Sequence, residues 1–549
     1  MIETVRTFTA LSEEFVELSM QHDPVAATGA GIHDYDATLP DDSPEGLAAR
    51  AAWLRDLDQR LVASVPWDEL PAATRVDFAL LRSRIASQRA DLEEIHVPQR
   101  TPALFLRRAF LGVHLLLANR TTPLEERKDA VVARLMAIPD YLAAAQRNLQ
   151  QVPPVLLEHG LTLATNGPGF VDDVVRQLMR RFPQESERLE HAGSRARLGF
   201  LRFHDHLDRE MRAQAGGTFA IGERWMNHKL EREHLLPWDC AELEALGREQ
   251  LERIRGELEA EARRLDPARS WREHLAEGLA QVPDPNWLTE SYLDEIARAR
   301  RFVAEHRLAP LPAGERLEIA DTPPFQRGYA PWTTYQAPAA FDADSVGTFC
   351  ITPVDLRRGE AEQRRQLEGH CLPRLPLTVV HELWPGHHLQ RVHAHEAATR
   401  LRRLASSELF LEGWALHAES VMHDHGYFTH PLTRLFQLRH RLWRACRVVL
   451  DTALHTGRMS LEEGVALLER EVGLERAHAM AEVHRTCLQP TRMLGGLVGA
   501  LLLEELEQEV RGALGERFTL LDFHAAVLAG GSLPITLVRE DLVARWGFA

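Results

Sequence analysis

Apolar side chains recur at intervals of three or four residues along most of this chain, which is the spacing that an amphipathic helix produces. In the segment 240–265, apolar positions form a stripe on one side, and charged residues fill the other side. Asp239 and Glu242 stand where a capping box would begin this helix. Ser460 and Glu463 stand in the same relation before another periodic segment. Helices are therefore predicted in both halves of the chain.

Proline and glycine interrupt this pattern at five short segments, which are predicted to be loops. The five are LPDDSPEG at 39–46, QVPP at 151–154, NGPG at 166–169, QVPDPNW at 281–287 and LAPLPAG at 308–314. The segment SVGTFCITP, residues 345–353, is the clearest strand candidate. The pattern predicts a mainly α protein with an N-terminal helical region, 1–330, and a chemistry-bearing region, 331–549. We expect the two regions to form one continuous fold.

Composition excludes several classes of partner. The 549 residues include 64 Lys and Arg against 80 Asp and Glu, a formal charge of -16, which argues against nucleic acid or an anionic membrane as partner. Four glutamates within the first 17 residues interrupt what would be the core of a signal peptide, and no transmembrane helix is expected. The five cysteines are widely spaced and never in a CxxC pair. We therefore expect a reduced, cytoplasmic protein.

The segment HELWPGHHLQ, residues 381–390, resembles a zinc site with an altered helix. Zinc hydrolases commonly use HExxH, in which two histidines four residues apart share one face, but here Pro385 occupies the second position. On a regular helix His387 would point about 240° away from His381. Pro385 and Gly386 can break the helix and bring the second imidazole back. The sequence therefore predicts an interrupted helix with His381 and His387 as metal ligands.

A third ligand is predicted in SSELFLEGWALHAE, residues 406–419, which has the pattern of an amphipathic helix with acidic residues on its buried side. Glu412 follows His387 by 25 positions, which leaves room for a turn and a second helix packed against the first. A carboxylate on an apolar helix face is seldom buried without a partner, and a metal ion would supply one. Glu382, beside the first ligand, is placed to polarise the metal-activated water.

These segments resemble a bacterial family known as domain of unknown function 885, whose members show HE-x-x-PGH-x-x-Q followed by EGWA-x-x-AE. Further resemblance runs through GIHDYDATLPDDS, GERWMNHKL and RACRVVLDTALHTGRMSLEE, and so covers most of the chain. That family is in turn similar to the gluzincin metallopeptidases, with a ligand spacing like that of the thimet oligopeptidase group.

The resemblance implies one zinc ion held by His381, His387 and Glu412, with Glu382 as general base. It also implies a helical, bowl-shaped, metallopeptidase-like fold with a small β-sheet at the edge of the active-site cleft. The edge strand, expected at 345–352, would align a small or extended peptide or amide substrate.

The chain departs from the family where tyrosines are expected. Those positions hold His417, Thr486 and Gly496. If such a tyrosine stabilises the oxyanion, another donor must replace it here. The candidates, of which we favour the first, are His455, His417, His484, Arg485 and Arg492.

Other polar residues are candidates for contacting substrate or orienting a ligand. Arg447, Asp451 and His455 are spaced by four and share one helical face, although an intrahelical ion pair beside a solvated histidine explains that spacing equally well. His388 is a candidate for orienting the site, and Tyr335, ahead of the predicted strand, is a further candidate.

The leading functional hypothesis is a zinc-dependent hydrolase of peptide or amide bonds. An alternative is a metal-dependent non-peptidase of specialised metabolism, such as a lyase, a cyclase or a non-haem iron oxidative enzyme, because two histidines and one carboxylate also suit iron. A third hypothesis is a helical binding protein with a structural metal, although structural zinc normally has four protein ligands.

Overall fold

Helices form nearly all of the regular structure in the computed structural model, which describes residues 2–119, 121–323, 327 and 330–548. The chain divides into two compact units, residues 1–221 with 339–344 and residues 222–338 with 345–549. The first unit thus ends at residue 221, apart from 339–344. The regions expected from the sequence, 1–330 and 331–549, stay a prediction. No described helix combines the length and the apolar character that a membrane span needs.

The first unit is helical throughout its described residues, apart from connecting segments. Two π-helical segments, Ala90–Glu94 and His206–Met211, continue the fourth and ninth helices. The helices are α1 Ile2–His22, α2 Pro24–Ala30, α3 Pro44–Ser64, α4 Ala72–Arg89, α5 Val97–Arg100, α6 Pro102–Ala118, α7 Leu124–Gln146, α8 Pro154–Arg181 and α9 Ser186–Asp205.

A buried ionic network joins the segments of the first unit. Arg108 donates to both carboxylate oxygens of Asp42, at 2.5 and 2.7 Å, and Tyr141 donates to the same carboxylate at 2.7 Å. Asn148 donates to the Asp42 backbone carbonyl at 2.7 Å. The Asp42 carboxylate is thus fully paired, as a buried charge must be to avoid a large desolvation cost.

The prediction of a loop at 166–169 is wrong, because NGPG lies inside α8. A Cβ on Gly167 would overlap the ring of Phe200 on α9, so the glycine lets the two helices approach closely. Packing of the long apolar face of α8 therefore overrides the local preference of glycine and proline for turns. The other four predicted loops lie between regular elements or at the start of a helix.

The second unit adds the remaining helices and the three strands. The strands are β1 Arg316–Asp321, β2 Thr333–Gln336 and β3 Val346–Ile351. The helices are α10 Glu223–Arg232, α11 Cys240–Leu265, α12 Trp271–Ala280, α13 Leu288–Glu305, α14 Glu360–Glu368, α15 Leu375–Glu382, α16 His387–His395, α17 Arg400–Arg403, α18 Glu408–Asp424, α19 Thr433–His455, α20 Leu461–Val472, α21 Arg476–Leu488, α22 Gly495–Leu514, α23 Leu520–Ala529 and α24 Ile535–Trp546.

Both predicted capping boxes are confirmed. The Asp239 side chain accepts from backbone N–H groups at the start of α11, and the Glu242 carboxylate accepts from the Asp239 backbone N–H at 2.9 Å. Ser460 and Glu463 make the same reciprocal pair at the start of α20. Each box pairs backbone donors that the first turn leaves without helical partners, which explains why these helices begin where they do.

The small sheet has the strand order β1-β3-β2, with β3 parallel to β1 and antiparallel to β2. The predicted strand at 345–353 is thus confirmed as β3, but its expected position at an edge is wrong. Both sides of β3 are paired, so it has no backbone groups left for a substrate. Within the described residues, the two edge strands of the sheet are β1 and β2.

Helices α18 and α22 pack closely through glycine. A Cβ on Gly499 would overlap the Leu409 carbonyl oxygen, and a Cβ on Gly413 would lie 2.5 Å from the Gly499 backbone carbon. The absence of side chains at both positions brings the two backbones together. This contact fixes the position of α18 along and around its own axis. Since α18 carries Glu412, it also fixes the position of that carboxylate.

We predict that Gly499→Ala destabilises the protein by about 1–3 kcal/mol, since the added methyl group must push α18 away from α22. Chemical denaturation monitored by circular dichroism measures the change. Gly512→Ala is the matched control, because it lies on the same helix and an added Cβ there meets no atom within 4 Å. Equal stability of the two variants would contradict the packing explanation.

Candidate metal centre

The chain breaks its helix between the two histidines of interest. Helix α15 ends at Glu382, and α16 begins at His387. Leu383, with φ -122° and ψ -88°, leaves the helical conformation, and the Trp384–Pro385 peptide bond is cis. The predicted interruption is therefore confirmed, and the Pro-Gly pair lies inside it.

Gly386 is required at this break for a steric reason. Its φ of -72° lies outside the left-handed region, so the requirement does not come from a positive φ. A Cβ at this position would instead overlap the His381 carbonyl oxygen and crowd that of Val380. The Gly386 N–H also donates to the Val380 carbonyl at 3.0 Å, which holds the chain against the end of α15.

The break brings His381 and His387 together, and α18 adds Glu412. The ring centroids of the two histidines lie 4.9 Å apart, and the ring planes are nearly perpendicular, at 87°. The Nε2 atoms of His381 and His387 lie 4.0 and 3.8 Å from the two carboxylate oxygens of Glu412. One donor atom from each of the three residues falls within 4.8 Å of the others. The three residues selected from the sequence thus converge on one point.

A second carboxylate orients His381. Its Nδ1 lies 2.9 Å from Oε1 of Glu419, which is 2 % exposed. A carboxylate accepts, so Nδ1 carries a proton, and in the neutral ring the Nε2 lone pair faces Glu412 and His387. Histidine ligands of metal ions commonly donate their other N–H to a carboxylate in this way, which fixes the tautomer and raises the basicity of the ligand nitrogen.

These three side chains fit a divalent transition metal. Two imidazoles and one carboxylate are the donor set of many catalytic zinc sites, in which a further position stays open. Donors around one tetrahedral zinc lie about 3.3 Å apart, so closing the present 3.8–4.0 Å separations needs only small side-chain rotations. Glu412 is the most exposed of the three side chains, at 37 %, which leaves the centre open on its side.

The charges around the centre shift several pKa values. Desolvation raises the pKa of Glu382, and the nearby negative charge of Glu412 raises it further. Desolvation lowers the pKa of His387 to about 3, so this imidazole is neutral and able to bind a metal near pH 7. Burial alone would lower the pKa of His381, but the hydrogen bond to Glu419 raises it.

Buried aromatic residues hold the break in place. Trp414 on α18 donates from its indole N–H to the Pro385 carbonyl at 2.8 Å, and so ties the break to the helix that carries Glu412. Trp384 packs edge-on against His388, with centroids 4.8 Å apart. Tyr335 on β2 contacts His388 through its hydroxyl, 3.0 Å from Nδ1. His388 therefore links the sheet to the break, and its role in orienting the site stays a prediction.

Asp451 and His455 have structural contacts. Asp451 is fully buried, and its carboxylate accepts from the backbone N–H groups of Thr491 and Met493 at 2.9 and 2.8 Å. The fully buried His455 places Nε2 2.9 Å from the Thr486 carbonyl oxygen. The Thr486 carbonyl thus engages Nε2 of His455, the candidate that the sequence favours for stabilising an oxyanion.

Arg447 and Arg492 pair with carboxylates. Arg447 donates to Glu482 at 2.6 Å, and its positive charge also contributes to lowering the pKa of Glu412. Arg492 lies 3.3 Å from Glu408, one helical turn before Glu412. Arg447 is therefore within electrostatic range of the centre, whereas Arg492 pairs with a carboxylate one turn away.

The remaining candidates lie elsewhere. His484 and Arg485 are exposed on α21. His417 is buried on α18 and points to His524 on α23, with 3.1 Å between their Nε2 atoms. None of these three belongs to the group of donors formed by the histidines of the break and Glu412.

Two arginines near the centre were not selected from the sequence. Arg444 on α19 is electrostatically coupled to both Glu419 and Glu412. Arg391, one turn after His387 on α16, is coupled to Glu412 as well. Both positions could have been found from helical spacing, because 444 lies on the stripe that includes 447 and 451, and 391 lies on that of 387. Helical spacing in the sequence is therefore enough to predict that a cation lies near the donors.

We predict that Glu419→Gln weakens zinc binding about 10- to 100-fold, because His381 loses the charged acceptor that fixes its tautomer. Competition with a chromogenic chelator measures the dissociation constant. Glu505→Gln, the same substitution on the exposed surface of α22, is the control and should bind zinc like the parent protein. Unchanged affinity in Glu419→Gln would show that this hydrogen bond does not support a metal ligand.

Two solved structures share this fold. A "putative lipoprotein of unknown function" from Shewanella oneidensis aligns with a TM-score of 0.82 at 21% sequence identity, over 98% of this chain and 99% of that chain. A "putative lipoprotein" from Colwellia psychrerythraea aligns with a TM-score of 0.83 at 17% identity, over 99% of each chain. No curated protein matches the sequence. The model of a family described as "Bacterial protein of unknown function (DUF885)" matches residues 24–542, nearly the whole length, and the chain therefore belongs to this family.

Proposed function

We propose that this protein is a metal-dependent hydrolase of peptide or amide bonds. The observation that carries the proposal is the convergence of His381, His387 and Glu412, whose donor atoms lie within 4.8 Å of one another. A further carboxylate next to them in the chain is not one of these donors. That carboxylate belongs to Glu382, which directly follows the first histidine. Three donors with an open side are typical of a catalytic site rather than a structural one.

Glu382 has the properties of a general base. A zinc ion in this site would lower the pKa of a water molecule and polarise the carbonyl group of the bond to be cleaved. Glu382 accepts the proton that water loses as its oxygen attacks the carbonyl carbon. The same carboxyl group then delivers that proton to the leaving nitrogen as the C–N bond breaks. A carboxylate whose pKa is raised by desolvation is better matched to these transfers than a solvated one.

Arg444 is the residue that we propose to stabilise the developing oxyanion. Its guanidinium is coupled to the carboxylates of Glu412 and Glu419, and desolvation lowers its pKa. A Cβ on Gly496 would lie 2.9 Å from the Arg444 side chain, so the glycine leaves the space that Arg444 occupies. Gly496 stands where the resemblance predicts a tyrosine. A cation in place of a phenol supplies the same kind of stabilisation to a negative oxygen.

The free side of β2 is a suitable place for an extended substrate. One side of this strand pairs with β3, and no further strand covers the other within the described sheet. Tyr335 on β2 is coupled electrostatically to Glu382, which places this strand near the proposed base. An extended peptide that adds to such an edge gains backbone hydrogen bonds. This geometry favours a peptide over a compact amide.

The relation to gluzincin peptidases is part of the proposal. It rests on the HE pair, on the histidine after the break and on a glutamate from α18, and not on overall similarity. The two solved relatives carry the word lipoprotein in their names. The cytoplasmic location expected from the sequence remains a prediction.

We predict that Glu382→Gln keeps the bound zinc and the fold while lowering turnover by about 10²–10⁴-fold, since the amide cannot accept a proton. The measurement combines metal analysis with mass spectrometry of a mixed peptide and amide library. Glu412→Ala is the companion variant and should lose zinc as well as activity.

Hydrolysis that persists in Glu382→Gln at the parent rate would contradict the assignment of the base. A zinc-loaded parent protein that cleaves no member of the library, but converts another class of compound, would favour the non-peptidase alternative.

We predict that Arg444→Met lowers kcat about 10²–10³-fold with little change in KM, because the cation acts on charge that develops only in the transition state. Arg444→Lys keeps a positive charge and should recover part of kcat. Steady-state kinetics on the best library substrate measures both variants, and circular dichroism monitors the fold. A larger effect on KM than on kcat would assign Arg444 to substrate binding instead.

A further inference from the structure

A second group of donors lies on α18, α22 and α23, away from the break. It consists of His417, Glu507 and His524. The two histidines are each 2 % exposed, and their Nε2 atoms lie 3.1 Å apart. Oε2 of Glu507 lies 3.8 Å from His417 Nε2. The three donor atoms all fall within 4.8 Å of one another, as closely as those of the proposed catalytic centre.

The tautomer of His524 is fixed by the backbone. Its Nδ1 lies 2.6 Å from the Leu308 carbonyl oxygen, which can only accept, so Nδ1 carries a proton. A neutral ring with a proton on Nδ1 has a lone pair on Nε2. That lone pair points toward His417 and is available for a cation.

A neutral His417 ring has two possible tautomers. With one N–H to place, the ring can donate from Nε2 to His524, or it can carry the proton on Nδ1 and direct a second lone pair at His524. Its Nδ1 is buried and has no hydrogen-bond partner among the described residues. Two facing lone pairs at 3.1 Å repel unless a cation lies between them, so the second arrangement is the metal-binding one.

The spacing suits a shared ion. Two imidazole nitrogens on one tetrahedral zinc lie about 3.3 Å apart, from bonds of about 2.0–2.1 Å, close to the separation observed between His417 and His524. Glu507 is oriented by Arg511, which donates to Oε1 at 2.6 Å and leaves Oε2 toward His417. Rings of Trp414 and Phe523 flank His524 and restrict its rotation.

An open cavity of about 500 Å³ reaches this group. His417 and Glu507 line it, together with Ser420, Arg441 and Glu504. The carboxylate of Glu507 is 18 % exposed, whereas the two imidazoles lie deeper. An ion held by the three donors would therefore have access to solvent through the cavity, and a small molecule there could complete its coordination.

We propose that His417, Glu507 and His524 form a second binding site for a divalent first-row transition metal such as Zn²⁺, with a remaining coordination position facing the cavity. Two imidazole ligands select such ions over Mg²⁺ and Ca²⁺, which prefer oxygen donors. This site does not depend on the proposed hydrolase activity, because its donors are separate from those at the helix break.

The test is the Zn²⁺ stoichiometry of the full chain. Protein stripped with a chelator and desalted is titrated with Zn²⁺ by calorimetry, and metal retained after gel filtration is measured by mass spectrometry. The parent protein should bind two ions, and Glu507→Gln and His417→Gln should each bind one. Glu505→Gln, with the same change of charge on an exposed position of α22, should still bind two.

A second series of variants, built on Glu412→Ala, separates the two sites. Glu412→Ala should retain one ion, and adding His524→Ala should remove it, whereas circular dichroism should show the same helix content in both. Mg²⁺ should not compete for the retained ion. Retention of one ion in the Glu412→Ala/His524→Ala double variant, or two ions in the correctly folded Glu507→Gln variant, would overturn the proposal. A parent protein that binds only the ion lost in Glu412→Ala would assign His417 and His524 to a metal-free hydrogen-bonded pair.

Discussion

The break between Glu382 and His387 is the constraint on which the candidate centre depends. On an uninterrupted helix, imidazoles six positions apart would point about 240° away from each other and could not share an ion. The break places the two rings 4.9 Å apart instead. Gly386 makes this approach possible, because any side chain there would overlap the His381 carbonyl oxygen. Trp414 closes the arrangement through its bond to the Pro385 carbonyl.

Helix α18 supplies the rest of the centre from one face. Glu412 and Glu419 are seven residues apart, about two helical turns, so both carboxylates point to the same side. One lies beside both imidazoles, and the other orients the ring of His381. The glycine contact between Gly413 and Gly499 holds this helix against α22. The geometry of the donors is thus set by backbone packing as much as by the donors themselves.

Local sequence patterns correctly predicted the features that depend on interactions between residues close together in the chain. The capping boxes of α11 and α20 and the interruption after Glu382 follow from side chains acting on their own backbone. Features set by distant packing were not predicted. NGPG is helical in a segment where Gly167 packs against Phe200, and β3 is central because β1 and β2 pair with its two sides. His455 looked available from spacing, but Thr486 engages it from another helix.

The central claim is that the donors at the break hold one divalent metal ion. An anomalous-difference map, recorded above and below the zinc absorption edge on crystals grown with Zn²⁺, tests it most directly. We expect a peak about 2.0–2.2 Å from Nε2 of His381, from Nε2 of His387 and from a carboxylate oxygen of Glu412. A map without a peak there, with the three side chains well ordered and pointing to separate places, would contradict the account.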